Sequence, residues 1–212
     1  MERVICVLIG YVCGLFQTGF INGKLHHIDI RQYGSGNAGA TNTLRTLGWK
    51  SGLVVFLGDG LKCILAVFIA RLLYGKTCAD WMPLLSMYAG AGAVLGHNYP
   101  FYLKFKGGKG IASTGGLILA TNVWMAVIDM ILFGVIVATT RYVSVGSLAV
   151  VTGFLIEVVV YGQMGGFHMA RPYLYEMYAV TAFLMVLGFY RHRANIRRLL
   201  TGNENKLCLK KK

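Results

Sequence analysis

Charged residues are scarce in this chain of 212 residues: only 14% are Asp, Glu, Lys or Arg, while 56% are hydrophobic. A soluble domain carries about 25% charged residues. The composition therefore excludes an ordinary soluble domain and predicts an all-α integral membrane protein. We expect a single polytopic membrane domain over residues 1–202, followed by a basic cytoplasmic tail over residues 203–212.

Acidic residues are scarcer still, with eight Asp and Glu against 21 Lys and Arg. No two carboxylates form a pattern such as D-x-x-D, so a Mg²⁺ site built from paired carboxylates is poorly supported. The five cysteines contain no C-x-x-C pair, and we interpret them as small buried hydrophobic side chains rather than metal ligands. We therefore expect no metal and no cofactor.

Long apolar runs predict the membrane spans, each of which needs about 20 residues. The first run is interpreted as a retained helix and not as a cleaved signal peptide. One run, 111–140, is too long for a single span, because about 45 Å of helix exceeds a hydrocarbon core of about 30 Å. We divide it near Thr121 and Asn122, which makes seven spans. The other runs are Val4–Ile21, Gly52–Leu73, Trp81–Leu95, Val143–Val160 and Met177–Tyr190.

The distribution of basic residues predicts the orientation of these spans, since Lys and Arg near span ends favour the cytoplasm. With seven spans, sixteen basic residues fall on the side of the 22–51 loop, the 99–110 loop and the tail, and four on the other side. The N-terminus is then outside and the C-terminus is cytoplasmic.

Four ionisable residues lie within the predicted spans. Asp59 and Lys62 share a helix face at i, i+3 spacing, and either a structural ion pair or a role near the site accounts for them. For Asp129 and Glu157 we favour a structural role. Residues of this kind usually face the interior of the helix bundle.

Three polar clusters stand on the predicted cytoplasmic side. They are GSGNAGATN (34–42) followed by Arg45, GHNYPFYLKFKGGKG (96–110), and RHRANIRRLLTG (191–202). Small residues let backbone N–H groups approach a ligand, and Ser, Asn, Thr and Lys supply donors, which suits phosphate. Gly-Gly-Lys before a helix adds the helix dipole and a point charge.

Other phosphate or acyl chemistries lack their motifs here. There is no Walker A sequence, no G-x-S-x-G nucleophile elbow, and no H-x-x-x-x-D motif of the acyl-CoA-dependent glycerolipid acyltransferases. A transporter for a small phosphorylated anion would place its site near the midplane between repeats, whereas the three clusters lie on one side. Nucleic-acid binding is the weaker interpretation of the basic tail, which fits an anionic lipid surface.

The three clusters, in order and together with Asp59-x-x-Lys62, resemble the motif regions of the bacterial acyl-phosphate:glycerol-3-phosphate acyltransferases over nearly the whole chain. Cys63 stands where that family usually has Gly. The resemblance implies transfer of a fatty acyl group from acyl phosphate to the sn-1 hydroxyl of glycerol 3-phosphate. The products are lysophosphatidic acid and inorganic phosphate, in the first step of phospholipid synthesis. The resemblance further implies a protein of the bacterial cytoplasmic (inner) membrane, surrounded by membrane lipids, that uses neither acyl-CoA nor acyl carrier protein.

The resemblance also implies the roles of individual residues. Catalytic roles fall to His97, Lys109 and Asn37. Glycerol 3-phosphate is assigned to Ser35, Arg45, Lys109, His192 and Asn195. Acyl phosphate is assigned to Gly36, Asn37, Thr41, Asn42, Lys106, Gly107 and Gly108. The general base stays open between His97, His192 and the phosphate of the substrate itself, and neither the acyl-chain preference nor the oligomeric state follows from the sequence.

Overall fold

The computed structural model describes residues 1–207, and within them the regular structure is entirely helical. Three short 3₁₀ turns, at Ile30–Gln32, Ala79–Trp81 and Phe101–Leu103, lie in the connections. The helices are α1 (Glu2–Gly14), α2 (Thr18–Leu25), α3 (Ala40–Leu47), α4 (Trp49–Tyr74), α5 (Met82–Asn98), α6 (Ile111–Thr121), α7 (Val123–Thr140), α8 (Val143–Gln163), α9 (Arg171–Arg191) and α10 (Arg193–Leu200).

Five segments of the described chain are long and apolar enough to cross a membrane: Glu2–Leu25, which contains α1 and α2, and the helices α4, α7, α8 and α9. Helices α5 and α6 are shorter, with 17 and 11 residues. The predicted division of the 111–140 run occurs at Asn122, whose side chain accepts a hydrogen bond from the Trp124 N–H at 2.8 Å and begins α7. Extended backbone at Asn122 ends α6.

The first apolar run is interrupted, which the sequence analysis did not predict. Its helix stops at Gly14 and resumes at Thr18, so the carbonyls of the last turn need other donors. Buried Gln17 donates to the Gly14 carbonyl at 3.1 Å, Tyr102 donates to the Leu15 carbonyl at 2.6 Å, and Lys62 donates to the Phe16 carbonyl at 2.7 Å. Gln17 within the break, Lys62 of α4 and Tyr102 of the loop after α5 therefore stabilise it.

Backbone-to-backbone packing joins α1 to α5 and α4 to α6. A Cβ added at Gly92 would lie 2.2 Å from the Val7 carbonyl oxygen, and one added at Gly116 would lie 2.2 Å from that of Gly60. Helices in a membrane associate through such small residues, because lipid offers no hydrophobic driving force. Gly92 and Gly116 therefore serve helix packing.

The intramembrane ionisable residues divide into two pairs with different surroundings. Asp59 and Lys62 form a buried ion pair at 2.9 Å on α4. Asp129 on α7 and Glu157 on α8 make no hydrogen bond within the described residues. The first pair borders the polar end of the bundle, as described below.

Candidate functional site

The loop before α3 is built around Asn42. The Asn42 Oδ1 accepts from the N–H and the hydroxyl of Ser35, at 2.8 and 3.2 Å, and its Nδ2 donates to the carbonyls of Ile30 and Tyr33 at 3.1 and 3.0 Å. Gly34 has φ +56°, and a Cβ there would lie within 2.3 Å of Asn42 Oδ1. The buried Asn42 amide is therefore fully engaged in shaping the loop.

This loop leads into the N-terminus of α3, which has no side-chain cap because Gly39 precedes it. The first N–H groups of a helix have no partner within the helix, and together with the helix dipole they favour an anion. Gly39, Ala40 and Thr41 all line the cavity described below, as does Asn37. The loop therefore presents backbone donors to the cavity.

The second Gly-rich loop is folded against the end of α5. The N–H of Gly107 donates to the Asn98 carbonyl and that of Gly108 donates to the His97 carbonyl, both at 3.2 Å. Arg191 donates to the carbonyls of both glycines, at 3.1 and 2.6 Å. Neither glycine N–H is free for a ligand, so the loop is held in place by Arg191 and delivers Lys109 to the cavity.

His97, buried at the end of α5, belongs to a polar network with the Asp59–Lys62 pair. The Lys62 Nζ contacts the Phe16 carbonyl, Asp59 Oδ1 and His97 Nδ1 at 2.7, 2.9 and 2.8 Å. An ammonium has three N–H donors, and these three acceptors use all of them. The Nδ1 lone pair of His97 is thus occupied, and its Nε2 lies against Gly108.

Lys109 and Asn195 meet at the cavity, where the Lys109 ammonium donates to Asn195 Oδ1. Burial lowers the pKa of Lys109 to about 8. The nearby Glu204 carboxylate acts in the opposite direction, and the guanidinium groups of Arg198, Arg191 and Arg45 lower the pKa further. Lys109 is therefore a cation at neutral pH that loses its charge more readily than an exposed lysine.

His192 lies beside Lys109, at the junction between α9 and α10. Burial and the charge of Lys109 lower the pKa of His192 to about 4. Its Nδ1 contacts the Gly188 carbonyl at 2.8 Å, so we assign the proton of the neutral ring to Nδ1. Its Nε2 is then an acceptor, suited to a hydroxyl group more than to a phosphate.

These groups surround a cavity of about 380 Å³. Its polar end is formed by the α3 N-terminus, Lys109, His192 and Asn195. Its other walls are apolar side chains from α3, α4, α6, α7 and α8. The apolar lining consists of Leu44, Leu53, Phe56, Ile111, Ala112, Phe133, Val137 and Val143. A cationic end that continues into an apolar groove suits a molecule with a phosphate and an acyl chain.

The structure brings most of the predicted site residues into the cavity lining: Ser35, Asn37, Thr41, Asn42, Arg45, His97, Lys109, His192 and Asn195. Four others do not line it, namely Gly36, Lys106, Gly107 and Gly108. Lys106 is exposed, and the two glycine N–H groups are used within the loop.

Three polar residues of the cavity were missed by sequence reasoning. Ser144 and Ser147 lie near the start of α8, and Glu204 follows α10, in the segment interpreted as part of a basic tail. The single acidic residue among the basic residues after Arg191 was the available signal for Glu204. Within residues 1–207, no group of three His, Cys, Asp or Glu side chains is placed to hold a metal ion.

Comparison with known proteins bears on this combination of charge and apolar groove. The glycerol-3-phosphate acyltransferase family model matches residues 4–202. The chain belongs to this family. Glycerol-3-phosphate acyltransferases of Halalkalibacterium halodurans and Alkaliphilus metalliredigens are 43% and 40% identical to it, over 100% and 98% of this chain and 98% and 97% of theirs. That of Bacillus subtilis is 40% identical over 98% of each chain.

Solved structures of a family member share the fold. An integral membrane glycerol 3-phosphate acyltransferase, PlsY (YgiH), in its glycerol 3-phosphate form has a TM-score of 0.84 and 32% identity, covering 98% of this chain and 96% of that one. Its lysophosphatidic acid form has a TM-score of 0.82 at the same identity and coverage. The protein is accordingly an integral membrane acyltransferase of this family.

Proposed function

We propose that the protein transfers a fatty acyl group from acyl phosphate to the sn-1 hydroxyl of glycerol 3-phosphate. The hydroxyl oxygen attacks the acyl carbonyl carbon, the bond from that carbon to the phosphate oxygen breaks, and the hydroxyl proton leaves to a base. The products are lysophosphatidic acid and inorganic phosphate. The reaction needs no covalent enzyme intermediate, because acyl phosphate is already an activated mixed anhydride.

The observation that carries this proposal is the polar end of the cavity, where cations and N–H donors adjoin an apolar groove. Two phosphates must be held close together against their mutual repulsion, and Lys109, Arg45 and the α3 N-terminus supply the compensating charge. Holding the two reactants in attack geometry can contribute several kcal/mol to lowering the barrier. The groove offers the acyl chain an apolar surface.

The proposed roles follow from where each donor lies. Glycerol 3-phosphate contacts Ser35, Arg45, Lys109, His192 and Asn195, with His192 accepting from a glycerol hydroxyl. Acyl phosphate lies at the α3 N-terminus, near Asn37 and Thr41. Asn42, Gly36, Gly107 and Gly108 support this site by shaping the two loops, and Lys106 attracts anions from the loop surface.

We assign the base to the phosphate of the substrate. His97 is a poor base here, because Lys62 occupies its Nδ1 lone pair. His192, with a pKa of about 4, is too weakly basic to be a well-matched acceptor near pH 7. A phosphate dianion, whose second pKa is about 6, is better matched and already sits beside the reacting hydroxyl.

We propose the seven-span topology with the site on the cytoplasmic side. The five long segments and α5 account for six crossings. The seventh, α6, has 11 residues, which is about 16 Å of helix. Arg71 lies in the last turn of α4, at the end away from the cavity. Its guanidinium donates to the Ala120 carbonyl at 2.7 Å, next to the end of α6, which supports a crossing by α6. The membrane domain of residues 1–202 remains our proposed single domain.

The test is an assay of purified protein in lipid nanodiscs with acyl phosphate and glycerol 3-phosphate, following phosphate release and lysophosphatidic acid. A blank without glycerol 3-phosphate measures hydrolysis of the donor. Lys109→Ala and Arg45→Ala should each raise the KM for glycerol 3-phosphate by about 10- to 100-fold, the effect of losing a hydrogen bond to a charged group. Lys50→Ala, an exposed cation outside the cavity, is the matched control and should leave KM unchanged. Phosphate release that does not depend on glycerol 3-phosphate would contradict the proposal.

A further inference from the structure

The segment after α10 does not extend into solvent but crosses the mouth of the cavity. We call residues 203–207 the C-terminal strap. The Leu207 N–H donates to the Arg141 carbonyl at 2.8 Å, between α7 and α8, and Arg45 of α3 donates to the Asn205 carbonyl at 3.2 Å. The strap lies beyond the residues that the family model matches, which end at 202.

Within the strap, the Glu204 carboxylate is the group that enters the site. Its Oε1 accepts from Asn195 Nδ2 at 2.6 Å and from the Ser144 hydroxyl at 3.0 Å, and its Oε2 accepts from Arg198 Nε at 2.7 Å. Only 4% of the side chain is exposed. Burial alone would raise the pKa of Glu204, but these donors outweigh it and hold the pKa below its usual value.

The position of Glu204 determines which way the Asn195 amide faces. An ionised carboxylate only accepts hydrogen bonds and an ammonium only donates them. The NH₂ of Asn195 must therefore face Glu204, and its Oδ1 must face Lys109, as observed. Without the carboxylate, the Asn195 NH₂ would lose its acceptor, and the contact with the Lys109 ammonium alone would orient the amide.

We infer that Glu204 is a positioning residue, which acts through Asn195 to hold the Lys109 ammonium at the glycerol 3-phosphate end of the cavity. This inference rests on the proposed function and deepens it. The strap therefore completes the site from outside the three motif clusters. The charged groups that act on Lys109 are Glu204, Arg45 of α3, Arg191 of α9 and Arg198 of α10. Glu204 is the one negative charge among these four, and the nearby His192 is neutral.

The rival interpretation gives the opposite sign. If the Glu204 carboxylate instead occupied the place of the substrate phosphate and competed with it, removing the carboxylate would tighten glycerol 3-phosphate binding. KM therefore decides between positioning and autoinhibition.

The experiment compares Glu204→Ala, Glu204→Gln and Asn203→Ala with the unmodified full-length protein in nanodiscs, measuring kcat and KM for glycerol 3-phosphate between pH 6.5 and 9. Asn203 is the matched control, because its side chain is exposed and, among residues 1–207, hydrogen-bonds only to Thr201. Glu204→Ala should raise KM about 10-fold or more while kcat changes less than about threefold. Glu204→Gln keeps an acceptor for Asn195 and should restore part of the KM.

A readout that a merely structural role would not move is the pH dependence. Both Glu204 variants remove the negative charge near Lys109, so the rise of KM at alkaline pH should begin at a lower pH than in the unmodified protein. An unchanged or lower KM in Glu204→Ala, with the Asn203→Ala control behaving as the unmodified protein, would overturn the inference. Lack of turnover in the unmodified protein would instead refute the proposed function, so the two failures are distinguishable.

Discussion

Lys62 donates to Nδ1 of His97 at 2.8 Å, so the histidine at the end of α5 is an acceptor held by a buried ammonium. The same ammonium also donates to Asp59 and to the Phe16 carbonyl, which lies at the break in the first apolar segment. The network thus connects the break between α1 and α2 with α4 and α5, beneath the loop that carries Lys109. This geometry favours a supporting role for His97 over a role as the general base.

The first prediction concerns this network. We expect His97→Ala to lower kcat less than about 100-fold, because loss of a general base costs about 10²–10⁴-fold and we assign the base to the substrate. Lys62→Met should lower kcat to a similar extent, since it removes the other half of the same support. Steady-state kinetics on both variants, with thermal unfolding to confirm the fold, provides the measurement.

The Lys62→Met variant separates the two roles of His97. It frees the Nδ1 lone pair, so a histidine that acted as base would keep its activity or gain some. Near-total loss of turnover in His97→Ala, together with a fully active Lys62→Met and intact glycerol 3-phosphate binding, would mean that His97 is the base after all.

The second prediction concerns the contact between Gly108 and His97. A Cβ at Gly108 would lie 2.0 Å from His97 Nε2, a side-chain atom, whereas one at Gly107 would lie 2.0 Å from the His97 carbonyl oxygen. Overpacking of this kind costs about 1–3 kcal/mol. We expect both Gly→Ala variants to lose stability and activity, but only Gly108→Ala to be relieved when His97→Ala is added.

The measurement is a double-mutant cycle on the unfolding temperature and on kcat/KM. Additive losses in the Gly108→Ala, His97→Ala pair would contradict the contact, and relief of Gly107→Ala by the same second change would show that the relief is not specific.

Much of this molecule was predictable from its sequence because its strongest signals are local. Apolar runs gave the long helices, and the overlength run correctly indicated the division at Asn122. The three polar clusters predicted one binding site, and Ser35, Lys109 and Asn195, one from each cluster, line the same cavity. The helices and the division at Asn122 depend on neighbouring residues in the chain. The polar clusters were recognisable because loops rich in Gly, Asn and Lys favour the membrane surface over its apolar core.

What could not be predicted depends on contacts between distant segments. The break after Gly14 is stabilised by side chains such as Lys62 and Tyr102, which no local pattern connects to that position. Glu204 lies in a stretch whose basic composition indicated a tail on anionic lipid, and only the fold shows its carboxylate beside Asn195. The N–H groups of Gly107 and Gly108 looked available because a Gly-rich sequence does not reveal which way its amides point.

The third prediction is a pH dependence of glycerol 3-phosphate binding. Lys109 carries its charge below its pKa of about 8 and loses it above, so KM should rise as pH increases from 7.5 to 9. His192 is neutral throughout this range and does not contribute. Lys109→Arg retains a positive charge at all these pH values, so its KM, whatever its level at pH 7, should change little. An equally steep alkaline rise in Lys109→Arg would assign the titration to another group.

The fourth prediction concerns topology. Single cysteines replace Lys104, in the loop between α5 and α6, and Lys76, in the connection between α4 and α5, in a background without the native cysteines. Both positions are exposed in the structure. We expect an impermeant thiol reagent to label position 76, and not 104, from outside intact cells, with both labelled after permeabilisation. The reverse pattern would contradict the proposed orientation, and labelling of both from outside would contradict the proposed number of spans.

The last prediction concerns the donor and the role of metal. In our proposal, Lys109, Arg45 and the N–H groups of α3 neutralise the phosphates, and the sequence contains neither paired carboxylates nor the H-x-x-x-x-D motif. We therefore expect full activity with acyl phosphate in the presence of EDTA, and none with acyl-CoA or acyl carrier protein as donor. Inorganic phosphate, a product with the same charge pattern, should inhibit, and the inhibition should weaken in Lys109→Ala. Activity that EDTA abolishes and Mg²⁺ restores, or robust turnover of acyl-CoA, would show that this site works by a different chemistry.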